Sequence, residues 1–196
     1  MAGQGQDMKQ GVYKTPAAFM AMVRMEFGPL TWDLAACRDN TQAGQYLTET
    51  DNSLSEDRPW RRLGGWLWLN PPYGNIGAWA AKCAAESEAG AKILFLVPAS
   101  VGSDWYAEHV HEKAEVRYLR PRLAFEFLYP LDYKDKHGNP SPKAGMPNKD
   151  PYPKDLLLAI YDRERRPRAF PWDWRKAPPE PKKYFIPFIR FLNGRG

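Results

Sequence analysis

Short, continuous apolar runs, each closed by a proline, a glycine or a polar cluster, recur along this chain and read as buried strands. Trp66-Leu67-Trp68-Leu69 stops at Asn70-Pro71-Pro72-Tyr73-Gly74, because neither proline has a backbone donor to give a ladder. Ile93-Leu94-Phe95-Leu96-Val97 stops in the same way at Pro98-Ala99-Ser100. Residues 30–37 form a shorter apolar run interrupted by one carboxylate, Asp33, and residues 115–119 and 156–161 supply two more strands. Between them the pattern turns helical. Thr15 reads as an N-cap with Pro16 at the first helical position, followed by Phe19, Met22, Val23 and Phe27 and a stop at Gly28-Pro29. Residues 76–85 are rich in helix formers, and Ser103 opens a helix carrying Trp105, Tyr106 and Val110. Strands alternating with helices predict an α/β fold with a mostly parallel central sheet and flanking helices.

The remaining segments lack periodicity. Residues 1–12 read as a loose arm, 40–46 as a short helix or turn, 48–53 as a polar loop, and 55–65, with Arg58, Arg61 and Arg62, as charged and exposed. Residues 129–155 alternate Lys134, Lys136, Lys143, Lys149 and Lys154 with prolines, which predicts a long loop that is mobile or ordered by a partner. The division expected is therefore an arm over 1–12, a domain over 13–161 with 129–155 as an insertion, and a tail over 162–196. That tail mixes basic residues with Trp172, Trp174, Tyr184, Phe185 and Phe188, and either wraps the core or serves an interface.

Composition narrows the function. With 196 residues, 43% hydrophobic and 26% charged, the chain is globular, and a 14% aromatic share exceeds what a core normally needs. A net charge of +5 permits a nucleic-acid partner. Cys37 and Cys83 have no paired spacing, and His109 and His111 face different sides of a helix, so neither a disulfide framework nor a metal site is expected. No run approaches the ~20 apolar residues of a membrane span, so a soluble, cytoplasmic protein is expected.

The chemistry concentrates at Asn70 to Tyr73. The Asn70 side-chain oxygen and the Pro71 carbonyl are two acceptors held close together by proline's restricted backbone, and they suit a planar NH2 group. Tyr73 offers a flat face for the ring that bears it. The competing reading is a proline turn that merely ends a strand. Asp33, near the end of the first strand, suits an ammonium or a ribose hydroxyl of a nucleotide-like cofactor, or an N-cap. Asp51 suits the same ligand or an Asx turn. No Gly-x-Gly-x-x-Gly follows a strand, which counts against a nicotinamide or flavin enzyme.

Taken in order, Thr15-Pro16 with Phe19, Thr31-Trp32-Asp33-Leu34-Ala35-Ala36 followed by Asn40, Tyr46-Leu47-Thr48 with Asp51, Leu69-Asn70-Pro71-Pro72-Tyr73-Gly74, Leu96-Val97-Pro98-Ala99 and Arg122-Leu123-Ala124-Phe125 resemble the phage-type, Dam-like DNA N-6-adenine methyltransferases. The resemblance covers roughly residues 13–161. It implies a Rossmann-like methyltransferase fold, S-adenosylmethionine as cofactor, DNA as partner and a flipped adenine as the target. It makes Asn70, Pro71, Pro72 and Tyr73 the catalytic loop. It puts Thr15, Pro16, Asp33, Ala35, Asp51 and Asn70 at the cofactor, and Tyr73, Phe125 and Arg122 at the substrate, with Phe127 as well placed by sequence as Phe125. The family's glycine-rich first loop is replaced here by Leu34 to Cys37, which has no glycine. Two alternatives stand beside it. One is a methyltransferase on another planar amine, such as cytosine in DNA, an RNA base or a protein glutamine. The other is a non-catalytic nucleic-acid-binding protein whose aromatics stack bases.

Overall fold

The computed structural model describes residues 13–129 and 131–176, so the arm over 1–12 and the tail beyond 176, with Tyr184, Phe185 and Phe188, lie outside the described residues. Three helices, α1 (Ala17–Phe27), α2 (Ile76–Glu88) and α3 (Asp104–His109), accompany seven strands. The strands are β1 (Leu30–Asp33), β2 (Gln45–Tyr46), β3 (Trp66–Leu69), β4 (Lys92–Pro98), β5 (Glu115–Arg120), β6 (Leu156–Tyr161) and β7 (Arg168–Asp173). They form one sheet in the order β2-β1-β3-β4-β6-β5-β7. β2, β1, β3 and β4 pair in parallel, and so do β5 and β7. Only β6 runs antiparallel to both of its neighbours. A long non-helical segment leads into β6 in place of a crossover helix, and a strand reached that way is free to reverse.

Both faces of the sheet are covered, which is why its central strands read as unbroken apolar runs. Alternate residues serve opposite layers. Leu67, Leu69, Ile93, Phe95, Val97, Leu157 and Ala159 pack with Ala80 and Cys83 of α2 and Tyr106 of α3. Trp68, Leu94, Leu96, Leu156, Leu158 and Ile160 pack with Phe19, Met20, Val23 and Phe27 of α1. The result is one helix on one face and two on the other.

Several local expectations change. Pro16, not Thr15, holds the N-cap position of α1, and Met20 rather than Met22 enters the core. The α1 N-terminus is instead satisfied from a distance, since Glu126 Oε1 accepts from Ala17 N at 2.9 Å. Ser103 stands at the N-cap of α3, but its hydroxyl donates to the Ser100 carbonyl. Residues 40–46 end in strand β2. Within the stretch expected to be exposed, Trp60 is fully buried, stacked on Trp79 at 6.3 Å with Lys82 over its ring. Polar flanks hide a single aromatic from pattern reading. β7 joins the same sheet beside β5, tolerating Pro171 because it has one sheet neighbour among the described strands. Trp172 and Trp174 pack on Phe19 of α1. The Lys/Pro-rich segment contains no regular strand, yet it is laced to what precedes it: Tyr129 N donates to Met146 O, and Asn148 N to Phe127 O. Tyr129 Oη donates to Asn148 and Asp150 at 3.0 Å each.

Candidate active site

The chain leaves β1 in one direction to reach β2 and in the other to reach β3, so the carboxyl ends of β1 and β3 border a topological switch point, where open α/β sheets bind ligands. A cleft of about 360 Å³ opens there. Leu34 and Ala35 after β1, Thr48 to Leu54 after β2, and Pro72, Gly74 and Trp79 after β3 contribute its walls. Ser53 is buried in that wall. Its Oγ is the one buried side-chain polar atom without a hydrogen-bond partner among the described residues. Its backbone is fixed, because its carbonyl accepts from Trp60 Nε1 and from Lys82 Nζ. A fixed wall with an unused hydroxyl suits a polar ligand, since a buried polar group left unpaired costs about 1–3 kcal/mol.

Of the residues proposed for a cofactor, Ala35 lines this cleft. Asp33 stands behind it at the end of β1, 2% exposed, accepting from Ala35 N at 3.3 Å and Gln42 N at 2.9 Å. Burial pushes its carboxyl up to about 6, against those two backbone bonds, which favour the charged form. Asp51 closes a short 3-10 turn, Glu49–Asp51, by accepting from Thr48 N and Oγ1 at 2.8 and 2.7 Å. The Thr48 hydroxyl, then its backbone N–H, hold the Asp51 carboxyl below the usual range. Thr48, Glu49, Asn52 and Ser53 face the cleft instead. Pattern reading singled out Asp51 from this polar run, and only the 3-10 turn decides which of its members face inward.

Asn70 to Tyr73 leave β3 and enter a 3-10 turn, Tyr73–Asn75, that runs into α2. Pro71 is buried, and Pro72, a cleft wall, is exposed. Tyr73 Oη donates to Asn70 Oδ1 at 2.9 Å, and Asn70 Nδ2 donates to Thr15 Oγ1 at 3.2 Å. Thr15 is brought there by an antiparallel bridge in which Lys14 and Glu126 exchange backbone bonds of 2.9 Å. Thr15 is thus an anchor for the Asn70 side chain, and that amide keeps one oxygen whose present partner is a hydroxyl three residues away.

The residues proposed for the substrate divide. Phe125 is 6% exposed and belongs to the α1-side core. Phe127 packs on Tyr13 at 4.6 Å and Tyr129 at 5.0 Å. Arg122 is exposed, with Nε on Asp155 Oδ1 at 2.7 Å and a weaker contact to the Pro153 carbonyl. The ring that meets Tyr73 is Tyr152, unmarked in the sequence because it lies inside the Lys/Pro-rich segment. Among the described residues no group of three or more His, Cys, Asp or Glu side chains is arranged to hold a metal, and no helix is long and apolar enough to cross a membrane.

A family model described as DNA N-6-adenine-methyltransferase (Dam) matches residues 4–146. A curated relative from Escherichia phage T1, a DNA N-6-adenine-methyltransferase, is 25% identical over 117 residues, which is 60% of this chain and 48% of the relative. The chain therefore spans about half the length of that relative.

Proposed function

From the premise that this chain belongs to the DNA N-6-adenine-methyltransferase (Dam) family, we propose that it transfers a methyl group from S-adenosylmethionine to the exocyclic amine of adenine in DNA, on a Rossmann-like methyltransferase fold. The observation that carries the reading is the juxtaposition of the Asn70-Pro71-Pro72-Tyr73 loop with the switch-point cleft, Pro72 belonging to both.

The cleft residues suit the cofactor. Ser53 Oγ and the Glu49 carboxylate offer polar partners for its ribose or methionine groups, Trp79 and Leu34 an apolar wall, and Asp33 a carboxylate behind Ala35. Thr15 and Pro16 stand at the Asn70 end, the side expected for the methionine portion. Bound there, S-adenosylmethionine supplies an activated sulfonium methyl group.

An aromatic amine is a poor nucleophile because its lone pair is delocalised into the ring. Asn70 Oδ1 and the Pro71 carbonyl accept its two hydrogens and draw them out of the ring plane, which restores the lone pair. Thr15 holds the Asn70 amide in the orientation that leaves Oδ1 as acceptor. Tyr73 stacks on the purine. No general base is required, since the surplus proton leaves to water after transfer, so positioning and fixed dipoles supply most of the rate enhancement. An adenine inside a duplex is out of reach, and flipping it costs a few kcal/mol. The exposed lysines of the 129–155 segment are suited to phosphates and predict affinity that falls steeply with salt.

Incubation of the full chain with methyl-labelled S-adenosylmethionine and unmethylated DNA, followed by nucleoside analysis, tests this reading. N6-methyladenine is expected, and none with Asn70→Ala. Label in cytosine, RNA or protein, or none at all, would overturn it.

A further inference from the structure

Resting on the methyltransferase reading, we propose that Tyr152, carried in by the Lys/Pro-rich segment, is the second aromatic face of the target-base site, opposite Tyr73. Tyr152 is half-buried and lies edge-on to Tyr73, with ring centroids 5.9 Å apart and planes at 69°. Behind it stands Phe125, at 5.5 Å and 84°. Phe125 is committed to the core and Phe127 to Tyr13 and Tyr129, so neither turns a free face toward Tyr73.

A purine held between two rings needs roughly 7 Å between their planes, twice the optimal carbon–carbon contact. The Tyr73–Tyr152 separation is about one ångström short of that, and the edge-on arrangement closes the slot. Turning one ring parallel to the other opens it. Tyr73 is held through its hydroxyl on Asn70. The Tyr152 backbone is fixed as well, since its N–H donates to Leu123 O at 2.7 Å, while Arg122 binds the Pro153 carbonyl and the Asp155 carboxylate just beyond. The Tyr152 ring is the part left to move. Arg122 therefore acts as a positioning residue for Tyr152. The segment also carries Lys149 and Lys154 within a few residues of the ring, so one stretch of chain offers charges for the backbone and a face for the base.

The test compares Tyr152→Phe, which keeps the ring, with Tyr152→Leu, which keeps apolar bulk without a π face. Methyl transfer to unmethylated plasmid DNA gives kcat/KM, calorimetry gives S-adenosylmethionine affinity, and thermal melting checks folding. Tyr152→Phe is expected within about twofold of wild type. Tyr152→Leu is expected to lose about 10- to 100-fold in kcat/KM for DNA, the range of stacking one base on one aromatic side chain, with cofactor affinity unchanged. Equal kcat/KM for the two variants would overturn the proposal while leaving the methyltransferase reading standing. An inactive wild-type chain would overturn both.

Discussion

The phenol of Tyr73 donates to Asn70 Oδ1 at 2.9 Å, so the acceptor needed for the amine is occupied by the residue needed for the ring. Burial pushes the Tyr73 phenol well above its ordinary range, so it stays a donor at any working pH. Substrate must displace it. The pair forms a closed resting arrangement in which Asn70 is kept oriented and satisfied until a stronger claim on its oxygen arrives.

Tyr73→Phe removes the competing donor and keeps the face. Such a bond is worth about 0.5–1.5 kcal/mol net, so kcat/KM for DNA is expected to be unchanged or raised by up to about tenfold. Tyr73→Ala should lower it by losing the stack. Steady-state methyl transfer separates the two, and a large drop for Tyr73→Phe would make the hydroxyl, not the ring, the functional group.

How much of this was legible beforehand differs from residue to residue. β3 with its Asn-Pro-Pro-Tyr stop, β4 and β6 were readable because burial on both faces makes a strand apolar throughout, and proline ends it for a covalent reason. β2, two residues long with a burial pattern of exposed and intermediate positions, has no such signature. Tyr152 was hidden for another reason. Its place opposite Tyr73 depends on one backbone bond to Leu123 and on the ties at Asn148 and Arg122, all long-range, and no local pattern encodes them.

The Asp33 carboxyl, pushed up to about 6 by burial, gives two pH slopes of opposite sign. In the unfolded chain it titrates at about 3.9, so between there and 6 the folded state binds the extra proton, and this group's contribution to stability falls as pH rises. A cofactor ammonium or hydroxyl prefers the ionised form, so S-adenosylmethionine affinity should rise over the same window. It should be weaker by up to about tenfold at pH 5 than at pH 7.5. Melting curves and calorimetry at the two pH values check both slopes, and Asp33→Asn should flatten them.

Ser53 Oγ has no partner among the described residues although it is buried in the cleft wall. Ser53→Ala removes an unpaired polar atom, so the melting temperature should hold or rise. Cofactor affinity should fall about two- to tenfold, the worth of one hydrogen bond. Opposite movement of the two quantities, by melting and calorimetry, is the signature of a ligand-directed hydroxyl. An unchanged affinity would assign Ser53 to packing alone.

Far from the cleft, Arg117 of β5 joins α1 to the sheet. Its guanidinium forks onto Glu26 and donates from Nε to Glu115 Oε1 at 2.8 Å, while Phe27, Phe170 and Trp172 surround it at 5.0–5.6 Å. Glu115, 2% exposed, also holds Arg168 at 2.9 Å. Arg117→Met leaves the Glu26 carboxylate half-buried without this partner and removes one of the cations on Glu115. Breaking a buried pair on one side costs about 3–5 kcal/mol, which for a chain of this size lowers the melting temperature on the order of ten degrees. The exposed Arg58–Asp51 pair at 3.5 Å is the control, because Arg58→Ala should cost under about 1 kcal/mol. Thermal melts of both variants make the comparison. Methyl transfer at low temperature, where Arg117→Met remains folded, should match wild type, and a loss of activity there would mean that the β5–α1 tie also sets the geometry at Thr15 and Asn70.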